Sequence, residues 1–211
     1  MTYYDAEIEY LESTGTQYIN TNIIGGSALT YDICVLVNAH SSGIIGSRND
    51  TNRRTCWVIF DNNLRIQAGY GSSYKNSNNK YYQKWTTIRS YNSNSNHNVD
   101  INSDGVTEIV TVGNVQSFTN TQPVYLFGIN NYGSLFSSFQ CRGRVKYCKL
   151  YENETLVCDL VPVRVGQTGY LYDKVSDTLF GNAGTGSFIL GPDVKVTAPI
   201  VGKPKVSSIR R

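Results

Sequence analysis

The sequence predicts an all-β protein, an antiparallel two-sheet sandwich with an extended C-terminal arm. Three observations predict this fold class: apolar and polar residues alternate in short runs, turn residues separate the runs, and the composition disfavours helices. The 211 residues include 16 Tyr and 19 Gly but a single Met, a composition typical of strands and turns. We expect one domain over residues 1–193 and a basic arm over residues 194–211.

The strand pattern is clearest in Thr30–Asn38. Every second residue from Tyr31 to Val37 is apolar, so one face of this strand should be buried. Comparable runs occupy residues 55–61, 64–70, 85–91, 106–112, 124–129, 144–151 and 156–165. About a dozen short strands joined by hairpins imply an antiparallel double sheet.

Turn chemistry separates these runs. Tight reversals are expected at Asp61-Asn62-Asn63, Ser103-Asp104-Gly105 and Glu152-Asn153-Glu154. Two Asn- and Ser-rich stretches, residues 71–80 and 91–98, are expected to form exposed loops. The run over residues 144–151 changes phase, which predicts a β-bulge near Tyr147.

The chain has five cysteines, at positions 34, 56, 141, 148 and 158. Their odd number leaves at least one unpaired, and no spacing matches a CxxC metal clip. A hairpin closed at Glu152–Glu154 would place Cys148 opposite Cys158, close enough for a cross-strand disulfide. The same register places Leu150 opposite Leu156. In a reducing cytoplasm we expect free thiols instead.

The opening residues contain neither a basic n-region nor an apolar h-region, so we expect no signal peptide and synthesis in the cytoplasm. No run approaches the roughly 20 apolar residues that a membrane helix needs, so we expect no membrane partner. Charged residues make up only 17% of the chain. Low charge is typical of a subunit that is surrounded by neighbours.

Segments at both ends of the chain resemble a known family. Residues 8–21 (IEYLESTGTQYINT), and residues 145–151, 156–162, 169–173 and 180–188, are similar to the opening and closing motifs of concanavalin A-like, laminin-G-like modules in phage and prophage proteins of gut bacteria. The resemblance implies a jelly-roll sandwich over the whole domain. Members occur in tail-associated adhesins, virion decoration proteins and bacterial surface proteins.

The closing motif has a structural interpretation. In Gly181–Gly186 the glycines permit positive φ where the chain must turn tightly. Tyr172 and Phe180 would pack against the sandwich edge, and Asp173 would bond local backbone amides. This segment does not match a phosphate cradle, because no helix follows whose N-terminus could receive the anion.

Catalytic patterns are weak, and we predict a protein that is not an enzyme. Glu7, Glu9 and Glu12 mimic the Glu-x-Asp-x-x-Glu spacing of laminarinase-like glycosidases, but a Glu replaces the Asp. We interpret them as a solvated strand edge whose charge discourages aggregation. Of the two histidines, His97 falls in a predicted Asn-rich loop, and His40 stands alone.

No cofactor is predicted. The sequence contains no nucleophile elbow, zinc motif, nucleotide fingerprint or EF-hand loop. Scattered Asp and Asn oxygens could hold a surface calcium ion, as in some members of the resembled family, but the sequence does not place one.

A sugar site would use aromatic faces together with Asn and Asp groups. The candidates are Tyr70, Tyr74, Tyr81, Tyr82 and Trp85 around one Asn/Ser-rich stretch, and Asn130, Asn131 and Tyr132 at a second tip. At least half of these aromatic residues are expected to pack within the sandwich.

The arm carries five positive charges and no acid, at Lys195, Lys203, Lys205, Arg210 and Arg211. These charges could contact nucleic acid, dock on an acidic neighbouring subunit, or remain solvated. We expect docking. Arg53-Arg54 is too short a basic cluster to indicate nucleic acid.

Together these features predict a non-catalytic virion structural protein, such as a head or tail decoration subunit, with other capsid or tail proteins as partners. The alternative is a glycan-binding adhesion module on a phage fibre or bacterial surface, with a host-surface glycan as ligand. An enzymatic interpretation would require the three opening carboxylates to line a cleft.

Overall fold

The computed structural model describes residues 4–196. The first strands are β1 (Ala6–Ile8), β2 (Leu11–Thr14), β3 (Ile19–Gly26), β4 (Leu29–Val37), β5 (Ser42–Arg48), β6 (Arg54–Phe60), β7 (Arg65–Gly71), β8 (Ser73–Lys80), β9 (Thr86–Ser93) and β10 (Asn96–Ser103). They are followed by β11 (Val106–Asn114), β12 (Thr119–Leu126), β13 (Asn130–Asn131), β14 (Ser134–Leu135), a 3-10 helix (Ser137–Phe139), β15 (Arg142–Glu152), β16 (Thr155–Val165), β17 (Thr168–Asp173), β18 (Thr178–Phe180), β19 (Ile189–Leu190) and β20 (Asp193–Val196).

The strands form two sheets, which confirms the predicted all-β sandwich. The first sheet has twelve strands, with the main order β11-β10-β9-β4-β15-β16-β1-β20, and β2, β17, β18 and β19 join it at the side. The second sheet has eight strands, with the order β14-β13-β5-β6-β7-β8, and β3 and β12 extend it. Within residues 4–196 the pairings are antiparallel except that of β13 with β5.

The core lies between the two sheets because their strands alternate in burial. In β4 the inward positions from Tyr31 to Val37 are at most 2% exposed, as the alternation predicted. In β6 of the second sheet, Val58 and Phe60 point into the same core. Burying each such side chain contributes about 1.5 to 3 kcal/mol to folding.

The predicted bulge in β15 is confirmed, but the predicted hairpin register is wrong. The register of β15 against β4 shifts between Val145 and Tyr147. Cys148 lies opposite Leu160, and Cys158 lies opposite Leu150. The turn has only two residues, both with positive φ, and a second register shift follows it in the hairpin. All five cysteines are free thiols.

The two predicted loops are mostly strand. Residues 73–80 form β8, an edge strand of the second sheet that pairs with β7. Residues 91–93 and 96–98 end β9 and begin β10, joined by Asn94 and Ser95 at positive φ. The prediction failed because these strands are rich in Asn and Ser, so apolar alternation does not mark them.

His97 is therefore not in a loop. It lies in β10 with 3% of its surface exposed, and its ring stacks on Tyr70 with the ring centroids 3.9 Å apart. Its Nδ1 lies 2.8 Å from the side-chain oxygen of Asn92. Burial lowers the pKa of His97 to about 4, because the interior disfavours the imidazolium.

The predicted boundary of the arm at residue 194 falls inside β20. The backbone of Lys195 pairs with Glu7, so the sheet continues to Val196. Lys203, Lys205, Arg210 and Arg211 lie outside the described residues.

Candidate ligand-binding site

The opening and closing motifs that carry the family resemblance interlock. The Thr16 hydroxyl donates to the Thr185 carbonyl at 2.9 Å, and the Ala183 amide donates to the Tyr18 carbonyl at 2.8 Å. A Cβ on Gly184 would lie 2.0 Å from the Thr16 carbonyl oxygen, so only glycine fits there. These contacts therefore join the connection between β2 and β3 to the loop between β18 and β19.

Asp173 has the predicted structural role. Its carboxylate accepts from the backbone amides of Asp159, Val175 and Ser176, at 2.7 to 3.2 Å. Burial alone would raise the pKa of Asp173, but the Ser176 hydroxyl and these amides outweigh it and lower the pKa. Phe180 packs against the core as expected.

The three opening carboxylates are each held by a different neighbour. Glu12 accepts from Arg144 Nε at 2.7 Å, Glu9 forms an ion pair with a lysine at 3.1 Å, and Glu7 accepts from the Tyr4 hydroxyl at 3.0 Å. Glu12 and Glu9 are thereby held by side chains of β15, and Glu7 is held by a residue that precedes β1.

Three predicted sugar contacts are buried, and for them the prediction is wrong. The Tyr70 hydroxyl donates to backbone carbonyls at 3.0 Å, and the Tyr81 hydroxyl donates to Glu108 at 3.0 Å. Asn130 is fully buried and bridges the Pro123 carbonyl and a backbone amide. Their polar groups are already satisfied, so they belong to the framework.

Two other predicted sugar contacts, Trp85 and Tyr82, lie apart from the remaining candidates. Trp85 is half-buried, with its ring 6.2 Å from that of Tyr10 and 4.3 Å from the Lys146 ammonium. Tyr82 is exposed in the turn that joins β8 and β9. Among the described residues, neither ring has an aromatic or cation–π contact with Tyr132.

The remaining candidates come together through two arginines. Tyr132, Arg48, Trp57, Arg54 and Tyr74 form an alternating stack, which we call the aromatic–arginine row. The Arg48 guanidinium lies 5.6 Å from the Tyr132 ring and 5.2 Å from the Trp57 ring. The Arg54 guanidinium lies 5.7 Å from the Trp57 ring and 5.4 Å from the Tyr74 ring. These distances are within the range of cation–π contacts.

A β-bulge builds this row. Residues 54 and 57 would point to opposite faces of a regular strand, because successive side chains alternate. In β6 the register against β7 shifts between Arg54 and Trp57, and Cys56 has a φ of 49°. The bulge turns Arg54 to the outer face beside Trp57.

A glycine makes room for the stack. Gly69 lies directly opposite Trp57 on β7. A Cβ at this position would lie 2.8 Å from the indole Cδ1 and 2.9 Å from Cδ of Arg54. The next strand places Tyr74 opposite Gly69, so the row continues to the sheet edge.

The two arginines are a like-charge pair. Arg48 and Arg54 lie directly opposite each other on β5 and β6. No ion pair among residues 4–196 includes either of them, and the nearby Asp50 pairs instead with Arg53 at 3.3 Å. Like charges in this position destabilise a sheet. Burial first, and the charge of Arg48 second, lower the pKa of Arg54.

The arginines have only neutral acceptors. Arg48 Nε donates to the side-chain oxygen of Asn131 at 2.6 Å. Arg54 donates to the carbonyls of Gly71 and Ser72 at 3.3 and 3.0 Å. Neither arginine forms an ion pair among the described residues, although Asp50 lies near enough to act on the charge of Arg54.

Trp57 brings an unsatisfied polar group to the same place. It is 3% exposed, and its Nε1 is buried with no hydrogen-bond partner among the described residues. Phe139 packs edge-on against it, with the ring centroids 6.5 Å apart. Leaving a buried donor unpaired costs about 1 to 3 kcal/mol.

Sequence reasoning missed Arg48, Arg54 and Trp57 as site residues. One signal was present: since Val58 and Phe60 are inward, alternation assigns Trp57 to the outer face, where a large apolar residue is unusual. The two arginines gave no signal, because the bulge that aligns them is not visible in the pattern.

The outer face of the first sheet differs from that of the second sheet in its charge pattern. It carries Asp159, Lys149, Asp32, Arg89 and Asp100, each directly opposite the next on five neighbouring strands. Each lies between two buried chain neighbours and so points outward. Opposite charges in register attract, so each of the three acids and two bases in this alternating charge row has an oppositely charged neighbour, although none of the five forms an ion pair among the described residues.

An open groove of about 620 Å³ lies on the same face. Its lining includes Arg89, Tyr91, Asn92, Tyr151, Asn153 and Glu154. None of the sequence-predicted sugar contacts belongs to it.

Within residues 4–196, no group of three or more His, Cys, Asp or Glu is placed to hold a metal ion. No helix in the same range has the length and apolar character needed to cross a membrane. Comparison with protein-family models finds no match, and comparison with curated proteins finds no significant similarity.

Proposed function

We propose that this chain is a non-catalytic structural component of a bacteriophage particle, a head or tail decoration subunit. It docks on other capsid or tail proteins through the basic residues Lys195, Lys203, Lys205, Arg210 and Arg211. The observation that carries the proposal is the interlock of the two motifs that resemble phage modules. Thr16 and Tyr18 of the opening motif bond to Thr185 and Ala183 of the closing motif.

The exit point of the chain favours docking through the basic segment. β20 is the terminal strand on the main path of the first sheet, so the chain leaves the described part at a sheet edge. The residues beyond Val196 carry four basic side chains and no acidic one. Such a segment is complementary to an acidic surface on a neighbouring subunit.

Sedimentation of purified virions tests the proposal. The full chain is compared with a truncation after Val196, which keeps β20, and with a variant in which Lys203, Lys205, Arg210 and Arg211 are all changed to Gln. We expect only the full chain to sediment with particles that lack it. If the truncated chain sediments equally well, docking through the basic segment is wrong. If neither sediments, the virion assignment falls.

A glycan-binding adhesion module is the second candidate function. The aromatic–arginine row favours it, because exposed tyrosine faces can pack against the C–H groups of a sugar ring. Tyr74 and Tyr132 are 58% and 53% exposed. Retention of the domain on a glycan array, together with no sedimentation of either form with virions, would favour this function over the first.

A further inference from the structure

We infer that the aromatic–arginine row binds an acidic saccharide, one that carries carboxylate or sulfate groups. The inference deepens the second candidate function and rests on it, since it names the class of sugar and the residues that select it. Three independent features of the row carry it: an unpaired charge, an unpaired donor, and exposed aromatic faces.

The charge requires an anion. Arg48 and Arg54 lie opposite each other on neighbouring strands, and neither forms an ion pair within residues 4–196. The nearby Asp50 acts on Arg54 but pairs with Arg53. A guanidinium can hold a carboxylate or sulfate through two parallel hydrogen bonds. An anion that contacts both guanidiniums on the outer face of the row would offset their repulsion through attraction to each of them.

The donor requires an acceptor. The Trp57 N–H is buried at the centre of the row and lacks an acceptor in the described part of the chain. A ligand oxygen that reaches it would satisfy a group that the folded protein leaves unpaired. Carboxylate, sulfate and sugar hydroxyl oxygens are all suitable acceptors.

The aromatic faces favour a saccharide over an acidic peptide. Tyr74 and Tyr132 stand at the two ends of the row, each exposed beyond the arginine that it contacts. Exposed ring faces and the Asn131 amide suit pyranose C–H groups and hydroxyls. Five side chains spaced 5.2 to 5.7 Å apart form a row longer than one sugar ring, so an oligosaccharide fits best.

The groove on the first sheet is the weaker candidate for the same ligand. Arg89 in its lining lies directly between Asp32 and Asp100 on the neighbouring strands. An anion at Arg89 would have to compete with the attraction of these two neighbouring carboxylates.

The test is a titration of the full chain with two acidic probes, an α-1,4-linked galacturonic acid trimer and a heparin-derived hexasaccharide, and with neutral galactotriose. Ionic strength is held constant, because surface charge effects depend on salt. Trp57 fluorescence reports binding in a Trp85→Phe background, which removes the other tryptophan. Circular dichroism verifies that each variant is folded.

The decisive comparison uses two variants with the same change in net charge. Arg48→Gln with Arg54→Gln removes both guanidiniums of the row, and Arg53→Gln with Arg89→Gln removes two arginines outside it. We expect at least one acidic probe to bind, and the first variant to lose about tenfold or more in affinity. The control variant should bind like the unmodified chain.

Other outcomes overturn the inference in distinguishable ways. Equal loss in both variants would mean that general positive charge, and not the row, holds the acidic sugar. Binding of galactotriose with the same affinity as the acidic probes would leave the glycan-binding function standing and remove the acidic specificity. If no sugar binds but a glutamate-rich peptide does, in a manner that depends on Arg48 and Arg54, the row is a protein-docking surface and both proposals fall.

Discussion

The two outer faces of the sandwich treat charge in opposite ways. On the first sheet, Asp32 lies between Lys149 and Arg89, so each charge has an opposite neighbour. On the second sheet, Arg48 lies opposite Arg54, and neither forms an ion pair among the described residues. The charges of the first face attract their neighbours within the sheet. The second departs from the rule that the first obeys, and such departures mark places where stability gives way to function.

Lowering the pH should reduce the free energy of unfolding through the buried His97, independently of the charges on either outer face. In the unfolded chain, His97 takes up a proton as the pH falls through about 6.5, whereas in the folded protein it stays neutral until the pH is about 4. Stability is therefore full above pH 6.5 and falls as the pH drops towards 4, by about 3 kcal/mol. Urea unfolding of the unmodified chain and of His97→Gln across this range measures it.

The variant should lose this pH dependence whatever the salt concentration, because a buried group is weakly screened. If high salt removes the dependence, surface charges cause it instead.

Gly69→Ala should damage the second face alone. The new Cβ would lie 2.8 Å from the Trp57 ring, and the ring and Arg54 would have to move. Overpacking of this kind costs about 1 to 3 kcal/mol. We expect a lower free energy of unfolding and an altered Trp57 emission. Gly105→Ala is the control for added volume, since no atom lies within 4 Å of its Cβ position, although its φ of 79° adds backbone strain. An unchanged emission in Gly69→Ala would mean that the stack does not depend on this glycine.

Asp32→Lys should make the first face resemble the second. It would place three positive charges in a row, with Lys149 on one side and Arg89 on the other. It also removes the acceptor of the Tyr147 hydroxyl. We expect a loss of about 1 to 2 kcal/mol in low salt that shrinks as salt is added. A loss independent of salt would assign the effect to the hydrogen bond and not to the charge row.

Arg54→Gln should give the smallest effect on stability, which is measured by comparing the salt dependence of unfolding in the variant with that in the unmodified chain. Removing Arg54 relieves its repulsion with Arg48, and salt already screens that repulsion in the unmodified chain. When the salt concentration is lowered from about 500 mM to about 10 mM, the free energy of unfolding of the variant should therefore rise by about 0.5 kcal/mol relative to that of the unmodified chain. Arg53→Gln should show the reverse sign, since Arg53 pairs with Asp50. Equal signs in the two variants would contradict the like-charge interpretation.

Alternation predicted the sandwich because most of its strands bury one apolar face. It located β4, β6 and β15 within a residue or two, together with the bulge near Tyr147. It failed for β8, whose residues are polar on both faces, and for the hairpin of β15 and β16, where a two-residue turn and a second bulge each shift the register. Bulges decide register, and hydrophobic pattern alone does not fix their number.

The candidate site was predicted only at its ends. Tyr74, Asn131 and Tyr132 were recognised because exposed Tyr and Asn in polar stretches suit sugars. The arginines between them were not, since their alignment depends on the bulge at Cys56 and on the gap at Gly69. Both are properties of paired strands, and they arise only when β5, β6 and β7 lie side by side.

The position of the opening strands has a consequence for the order of folding during synthesis. β1 pairs with β16 and β20, and β2 pairs with β15 and β19. Both strands must therefore wait on the ribosome until the far end of the domain has emerged. Contacts this distant in sequence are slow to form. A chain cut short before β15 would leave both opening strands without a partner, so only nearly complete chains can close the sandwich.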